Sequence, residues 1–474
     1  MLFNSFDFGF FLIIAYSIYW IIDSKRITLQ NVFLLLASYF FYAFWDWRFL
    51  GLLISSSLID YFAGIYIEKF NSSVRKKAIL WLSIIWNLGV LFTFKYFNFF
   101  IESFESLFQI EHTTGYNFWN IAIPVGLSFY TFQTMSYTID VYKGKIKPTK
   151  NLLHFLCFVS FFPQLVAGPI EKAKDLIPQF SKKREFVLQN VKEGLRQILW
   201  GLFKKIIVAE KLGLAVDMVY NNPEGYNFIT LLFAGTLFFF QLYCDFSGYT
   251  DIAIGTAKLF GFNLSKNFNL PYLATSISDI WQRWHITLTR WFTDYCYSPF
   301  VTFFKRKKIV KIMGIILTMT LVGFWHGANW NFLLFGFLNG IIIALERISF
   351  TSKKITLRRY LFSKPYIFAF IYTTTLYTLL CLVFRSQSIE QIKIIFNRIF
   401  NFTWDGAFTT LIGWKLGYLA FMIFAELLFR KKDFPLQQFE NWAPKPVRWA
   451  IYYAFIYIII QYAEPKEAFI YFQF

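Results

Sequence analysis

Apolar runs long enough to cross a bilayer recur along this chain and constrain it more than any other feature. Residues 228–246 and 366–384 each reach the roughly 20 residues a helix needs to span about 30 Å of hydrocarbon. Comparable runs begin at Phe8 and continue to Tyr462. Only 16% of the residues are charged, against about 25% in an ordinary globular chain, so the medium for this apolar mass is lipid. Trp and Tyr cluster at the ends of the runs, where amphipathic rings favour the headgroup level. The expected fold class is therefore all-α and integral to a membrane.

The first run, residues 8–22, differs from a signal peptide in having no Lys or Arg before it and no small-residue cleavage site after it, and it reads as a retained span. The net charge of +19 is not the footprint of a nucleic-acid binder. Lys and Arg fall in short clusters between apolar runs, a distribution that orients a chain in a membrane. These clusters, at Lys25/Arg26 and residues 69–77, 143–150, 172–184, 204–205, 305–311, 353–364 and 430–432, mark the cytoplasmic side. Two stretches without Lys or Arg, 96–142 and 212–257, then place their acidic residues (Glu102, Glu105 and Glu111; Asp217 and Glu224) outside. This alternation predicts about a dozen spans with both termini outside, in one domain covering residues 1–474. The outer loop 385–398 is more basic than the scheme predicts.

Two segments fit poorly as simple spans. Residues 152–167 lie between basic stretches and contain Pro163, with Gly168 and Pro169 following, so they are expected to enter and leave on one side. Such backbone survives at membrane depth only under protein or beside a cavity. Residues 248–260, GYTDIAIGTAKLF, carry Asp251 among small residues and invite the same reading.

Four cysteines (Cys157, Cys244, Cys296 and Cys381) are scattered without metal-ligand or disulfide spacing, so no metal is expected. GxSxG, Walker and GxGxxG patterns are absent, which leaves hydrolase, ATPase and dinucleotide readings without support. Residues 279–300, DIWQRWHITLTRWFTDYCYSPF, read as one amphipathic helix. Trp281, Trp284, Leu288, Trp291 and Tyr295 form an apolar stripe, Gln282, His285 and Thr289 a second face, and Arg283, Thr287, Arg290 and Asp294 a third. Periodicity alone favours a helix at the cytoplasmic interface, with its arginines on phosphates and His285 merely hydrogen bonded.

Downstream, residues 309–330 end in GFWHGANW. The 15 residues from Lys311 to His326 make about 22 Å of helix, which places His326 deep in the membrane beside a tight turn. An ionisable group at that depth is costly and marks a functional position by default, and a neutral imidazole can take a proton from a hydroxyl near pH 7. The bland alternative is a histidine that ties two helices. Asp245 and Asp251 are intramembrane carboxylates that either orient a histidine, line a proton path or cap broken helices. His112 and His154 read as solvated or structural.

WQRWHITLTRWFTDYCYSPF followed by GFWHGANWNFLLFG resembles the paired-histidine region of the membrane-bound O-acyltransferase superfamily. IPVGLSFYTFQTMSYTIDVYKG, FFPQLVAGPIEKAKDLIPQF and QLYCDFSGYTDIAIGTAKLFGFNL resemble its bacterial polysaccharide O-acetylation branch, which includes the peptidoglycan and alginate enzymes. The resemblance covers nearly the whole chain and implies a bacterial inner-membrane enzyme whose helices ring a central funnel. His326 would stand at the narrow point with His285 as its second histidine. Gln282, Trp325, Asn329 and Asp245 fall within the matching motifs as candidate binding positions, and Arg283 and Arg290 are candidates for the pantetheine phosphates. The implied donor is cytoplasmic acetyl-CoA, with no tightly bound cofactor. The implied acceptor is an extracytoplasmic polysaccharide, reached through a separate transferase, with peptidoglycan preferred to alginate because the excess of Phe, Ile and Lys suggests an AT-rich genome. The ending FIYFQF is similar to an F-x-Y-x-x-F tail of the branch, so Tyr471, flanked by Phe469 and Phe474, is the candidate acyl carrier. Composition alone would make this tail an interfacial aromatic anchor. D-alanyl transfer to teichoic acid and a proton-coupled transporter are the alternatives.

Overall fold

A computed structural model describes residues 1–109, 124–349, 364–405, 413 and 415–462. Every regular element among the described residues is helical, as the apolar runs require. Six helical stretches are long and apolar enough to cross a membrane: Ile27–Lys69, Ser73–Phe108, Phe228–Leu259, Lys308–His326, Trp330–Ile348 and Tyr366–Arg385. The first two are compound, divided by the tight turn Trp47–Phe49 and the π-helical turn Phe92–Tyr96. Shorter apolar helices, Phe6–Ile21 and Leu416–Leu428, join them. Tyr471, Phe469, Phe474 and His112 lie outside the described residues.

The chain packs as two compact units. The first comprises Met1–Ile198 with Ile252–Ser265, and the second Leu199–Asp251 with Lys266–Phe474.

In the first unit, helices Leu50–Lys69, Ser73–Leu91 and Leu127–Tyr142 pack together around Asp60, which is wholly buried. Its carboxyl group accepts hydrogen bonds from Ser83, from Asn87 at 2.8 Å and from Thr138 at 3.0 Å, so the buried polar oxygens are satisfied. Residues 152–167 are divided: helix Leu152–Ser160 stops at Phe161 and the short helix Phe162–Leu165 follows. Protein satisfies the freed backbone. Ser38 accepts from the Phe162 amide at 3.1 Å, and Gln133 and Gln164 both donate to the Phe158 carbonyl.

Residues 248–260 do not break. They complete the continuous helix Phe228–Leu259, which corrects the re-entrant reading. Their small residues serve close packing instead. A Cβ on Gly248 would meet the Gly201 carbonyl at 2.7 Å in the second unit, and one on Gly255 would meet the Gly194 carbonyl at 2.6 Å in the first.

In the second unit, Lys204 and Lys205 are buried on the π-helical turn Phe203–Ala209 rather than displayed at a membrane surface. Lys204 Nζ lies 2.6 Å from Asp251, and Lys205 pairs with Asp245. Asp245 is thus paired with a lysine, a partner that the sequence alone did not indicate. The basic loop beyond residue 384 is locally neutralised, with Arg385 on Asp217 at 2.6 Å and Arg398 on Asp405 at 3.3 Å.

Candidate active site

The candidate site lies in the second unit and begins with a helical hairpin. Helix Lys308–His326 ends where Gly327 turns extended, and helix Trp330–Ser349 starts three residues later. Side-chain-free positions let the two backbones touch. A Cβ on Gly327 would run into the Phe332 ring, one on Gly336 into the Met319 carbonyl, and one on Gly340 would come within 2.7 Å of Ile316 Cα. His326 closes the first helix and is buried. Its imidazole meets Phe384 edge-on at 5.1 Å and Trp325 at 5.0 Å. Phe384 is held there because Asn331 Nδ2 donates to its carbonyl at 3.1 Å and to that of Ser386 at 2.6 Å. Asn329 is half-buried and donates to the Gln387 carbonyl at 3.2 Å, which further fixes the turn.

His285 arrives from a different local structure than periodicity predicts. Residues 279–300 are not one amphipathic helix but a chain of short pieces: Ile277–Arg283, Ile286–Phe292, the π-helical turn Thr293–Tyr297 and Ser298–Phe303. The break falls on His285, whose φ of 41° is left-handed. That conformation costs a non-glycine residue about 1–2 kcal/mol and persists only where surrounding contacts enforce it. Three contacts do so. Glu346 accepts from the amides of Ile277 and Ser278 at 2.8 and 3.0 Å, capping the first short helix. Trp281 Nε1 donates to Asn339 at 2.9 Å, tying that helix to Trp330–Ser349. Beyond the break, the Ile286 amide donates to the Asn267 carbonyl at 2.9 Å.

Asn267 also sets the state of the ring. Its Oδ1 accepts from the Thr287 amide at 3.2 Å and the Thr287 hydroxyl at 2.9 Å, and it faces His285 Nδ1 at 3.2 Å. A backbone N–H can only donate, so the shared atom is the oxygen and Nδ1 carries the proton. The basic lone pair of His285 is therefore on Nε2. Burial lowers this imidazole to about 3, which keeps it neutral at physiological pH. Replacing Asn267 by Ala should lower turnover about tenfold to a hundredfold, the equivalent of stranding buried donors at about 1–3 kcal/mol, with the steady-state rate per folded enzyme as readout.

The Trp325 indole joins the two histidines, with ring centroids 5.7 Å from His285 and 5.0 Å from His326. Phe246 closes on His285 edge-to-face at 4.7 Å. The other candidates are less central. Gln282 and Arg290 are exposed. Arg283 is engaged locally, its Nε 2.8 Å from Asp279 and its Nη1 3.4 Å from the Asn269 carbonyl. Asn267, Asn339 and Glu346 were not singled out in the sequence, since each acts on a backbone amide or a ring nitrogen brought near only by folding. No group of three or more His, Cys, Asp or Glu side chains among the described residues is arranged to hold a metal.

Two buried imidazoles beside one indole, in a helical chain with bilayer-length apolar spans, make a candidate site for proton transfer. Comparison with known proteins gives the family. Residues 73–388 match the model of MBOAT, the membrane-bound O-acyltransferase family. The chain is 35% identical over 409 residues to a peptidoglycan O-acetyltransferase of Helicobacter pylori, covering 81% of this chain and 75% of that one. It is 33% identical over 433 residues to a probable alginate O-acetylase of Pseudomonas aeruginosa, covering 88% and 79%. A teichoic acid D-alanyltransferase of Streptococcus thermophilus is more distant, at 26% over 249 residues, 48% of this chain and 58% of that one. The chain belongs to the membrane-bound O-acyltransferase family, in its polysaccharide O-acetylation branch, and is an acyltransferase.

Proposed function

We propose that this enzyme transfers acetyl groups from cytoplasmic acetyl-CoA to an extracytoplasmic polysaccharide, peptidoglycan before alginate, from the bacterial inner membrane. The observation that carries the reading is the placement of His285 and His326 against the one Trp325 ring in a member of this family. The Helicobacter relative, similar over most of both chains, supports peptidoglycan as the acceptor.

His326 takes the proton of the attacking hydroxyl as that oxygen forms a bond to the acetyl carbon. The carbon–sulfur bond of the thioester breaks, and the proton passes from the imidazolium to the departing thiolate, so coenzyme A leaves as the thiol. His285, neutral with Nε2 unprotonated, serves as a hydrogen-bond acceptor beside the same Trp325 ring and takes up no proton itself. Arg290, exposed, and Arg283, shared with Asp279, are assigned to the pantetheine phosphates. The attacking hydroxyl is the phenol of Tyr471. A phenol, with a pKa of about 10, leaves more readily than an alkyl alcohol, so the acetyl-tyrosine ester stays reactive toward a second nucleophile. A separate outer-side transferase with a catalytic serine then moves the acetyl group to the sugar.

The test is turnover of labelled acetyl-CoA by membranes carrying the full chain, with mass spectrometry of ester-linked acetate on muropeptides from a deletion strain. Acetate lost from another polymer but retained on muropeptides would reject peptidoglycan, and dependence on a D-alanyl carrier protein would reject acetyl-CoA. Tyr471→Phe should abolish polymer acetylation while the folded enzyme remains in the membrane. Undiminished product would remove the tyrosine step alone.

A further inference from the structure

A buried ionic cluster in the second unit is not used by the chemistry above, yet it leads to His285. Lys204 Nζ meets Ser247 at 2.9 Å, Asp251 at 2.6 Å and Glu426 at 3.7 Å, while Lys205 holds Asp245. The two lysines thus grip helix Phe228–Leu259 on either side of Phe246, the residue whose ring closes on the His285 imidazole. Glu426 carries the cluster further. Its Oε2 accepts from both the Tyr243 and Tyr272 hydroxyls, each at 2.9 Å. Those rings pack together at 5.5 Å, and Tyr243 also faces Phe268 at 5.9 Å and Trp284 at 6.4 Å. Phe268 in turn lies 5.1 Å from both Trp284 and Phe246. Trp284 is the residue immediately before the left-handed His285.

A lysine and a carboxylate at this depth are costly unless paired and hydrogen bonded, and here both conditions hold. The lysines sit on a π-helical turn, a rare distortion that is frequent at functional sites. We propose that Glu426, held by Lys204, is a positioning residue for His285: through Tyr243 and Tyr272 it fixes the aromatic box of Phe246, Phe268 and Trp284 that sets the imidazole against Trp325. Glu426 touches no reacting atom and acts through His285. A carboxylate accepting two phenols and facing an ammonium has one stable orientation, so the box it supports is rigid.

This inference rests on the acyl-transfer reading of the histidine pair. Its test is the kinetics of labelled acetyl-CoA turnover by membranes carrying the full chain, normalised to folded enzyme by fluorescence-detected gel filtration. Glu426→Gln keeps the shape and an acceptor oxygen but removes the charge, and Tyr272→Phe removes one donor. Each should lower kcat about tenfold while leaving KM for acetyl-CoA within about twofold, the signature of a misplaced catalytic group rather than weakened donor binding. A purely structural cluster would instead reduce the amount of folded enzyme and leave its kcat intact, and that result overturns the proposal. So does a change confined to KM. His326→Ala, run in parallel, separates the two ideas. If it remains active, the histidine reading falls, whereas an inactive His326→Ala beside unaltered Glu426→Gln and Tyr272→Phe rejects only the role of Glu426.

Discussion

Replacing His326 by Ala should reduce acetyl transfer by about 10²- to 10⁴-fold, the usual contribution of a positioned general base. The effect should appear in the chemistry and not in folding. The imidazole closes its helix and touches Phe384 and Trp325 by ring edges, while the hairpin that carries it is held by glycine contacts and by Asn331. His326→Ala therefore inserts normally but leaves the attacking hydroxyl without a base. His326→Gln sharpens the test, because an amide can still donate and accept a hydrogen bond near the Phe384 ring yet cannot carry a proton between the hydroxyl and the thiolate. If His326 only ties two helices, Gln should retain most of the activity. If it is the base, both variants should lie at the same low rate. Release of labelled coenzyme A, measured against enzyme recovered in the membrane fraction, decides between these outcomes.

The parts of this site that were legible in the sequence are those governed by the solvent. Hydrocarbon demands long helices, so the run ending at His326 and the run after it were visible as two spans with a tight turn, and the turn falls where the Gly327 position allows it. The same reasoning failed where tertiary contacts outweigh periodicity. Trp281, Trp284, Leu288 and Trp291 have helical spacing, but Glu346 caps the first piece, Asn267 captures the backbone and side chains of the second, and the chain yields at His285. The small residues of 248–260 looked like a break because glycine weakens a helix in water. In a helix packed on neighbours it permits backbone contact. Lys204 and Lys205 were counted as a surface pair because basic pairs between apolar runs usually are. Their acidic partners lie about 40 residues away at Asp245 and Asp251 and far beyond at Glu426, and the one local hint is that FKKIIVA is apolar on both sides of the lysines. The role of Asp60 was hidden for a similar reason, since its donors come from two other helices.

Gly323→Ala should be the most damaging single-methyl substitution in the hairpin. A Cβ at Gly323 would run into the Phe332 carbonyl and come within 2.8 Å of Gly336 Cα and N, all backbone atoms that no rotamer change can move. Overpacking a core ordinarily costs about 1–3 kcal/mol because side chains can shift aside. Here only separation of the two helices relieves the clash, so the cost should exceed that range. Separation would also move His326, three residues further along the same helix, away from Phe384 and Trp325. Gly89 is the natural control. It lies in helix Ser73–Leu91 with nothing within 4 Å of its would-be Cβ, so Gly89→Ala should be neutral or gain up to about 1 kcal/mol from helix propensity. Thermal unfolding followed by fluorescence-detected gel filtration should therefore show a large fall in midpoint for Gly323→Ala and none for Gly89→Ala. If both variants unfold with the parent, the helices are not in backbone contact, and the rigid hairpin that places His326 would have to be abandoned.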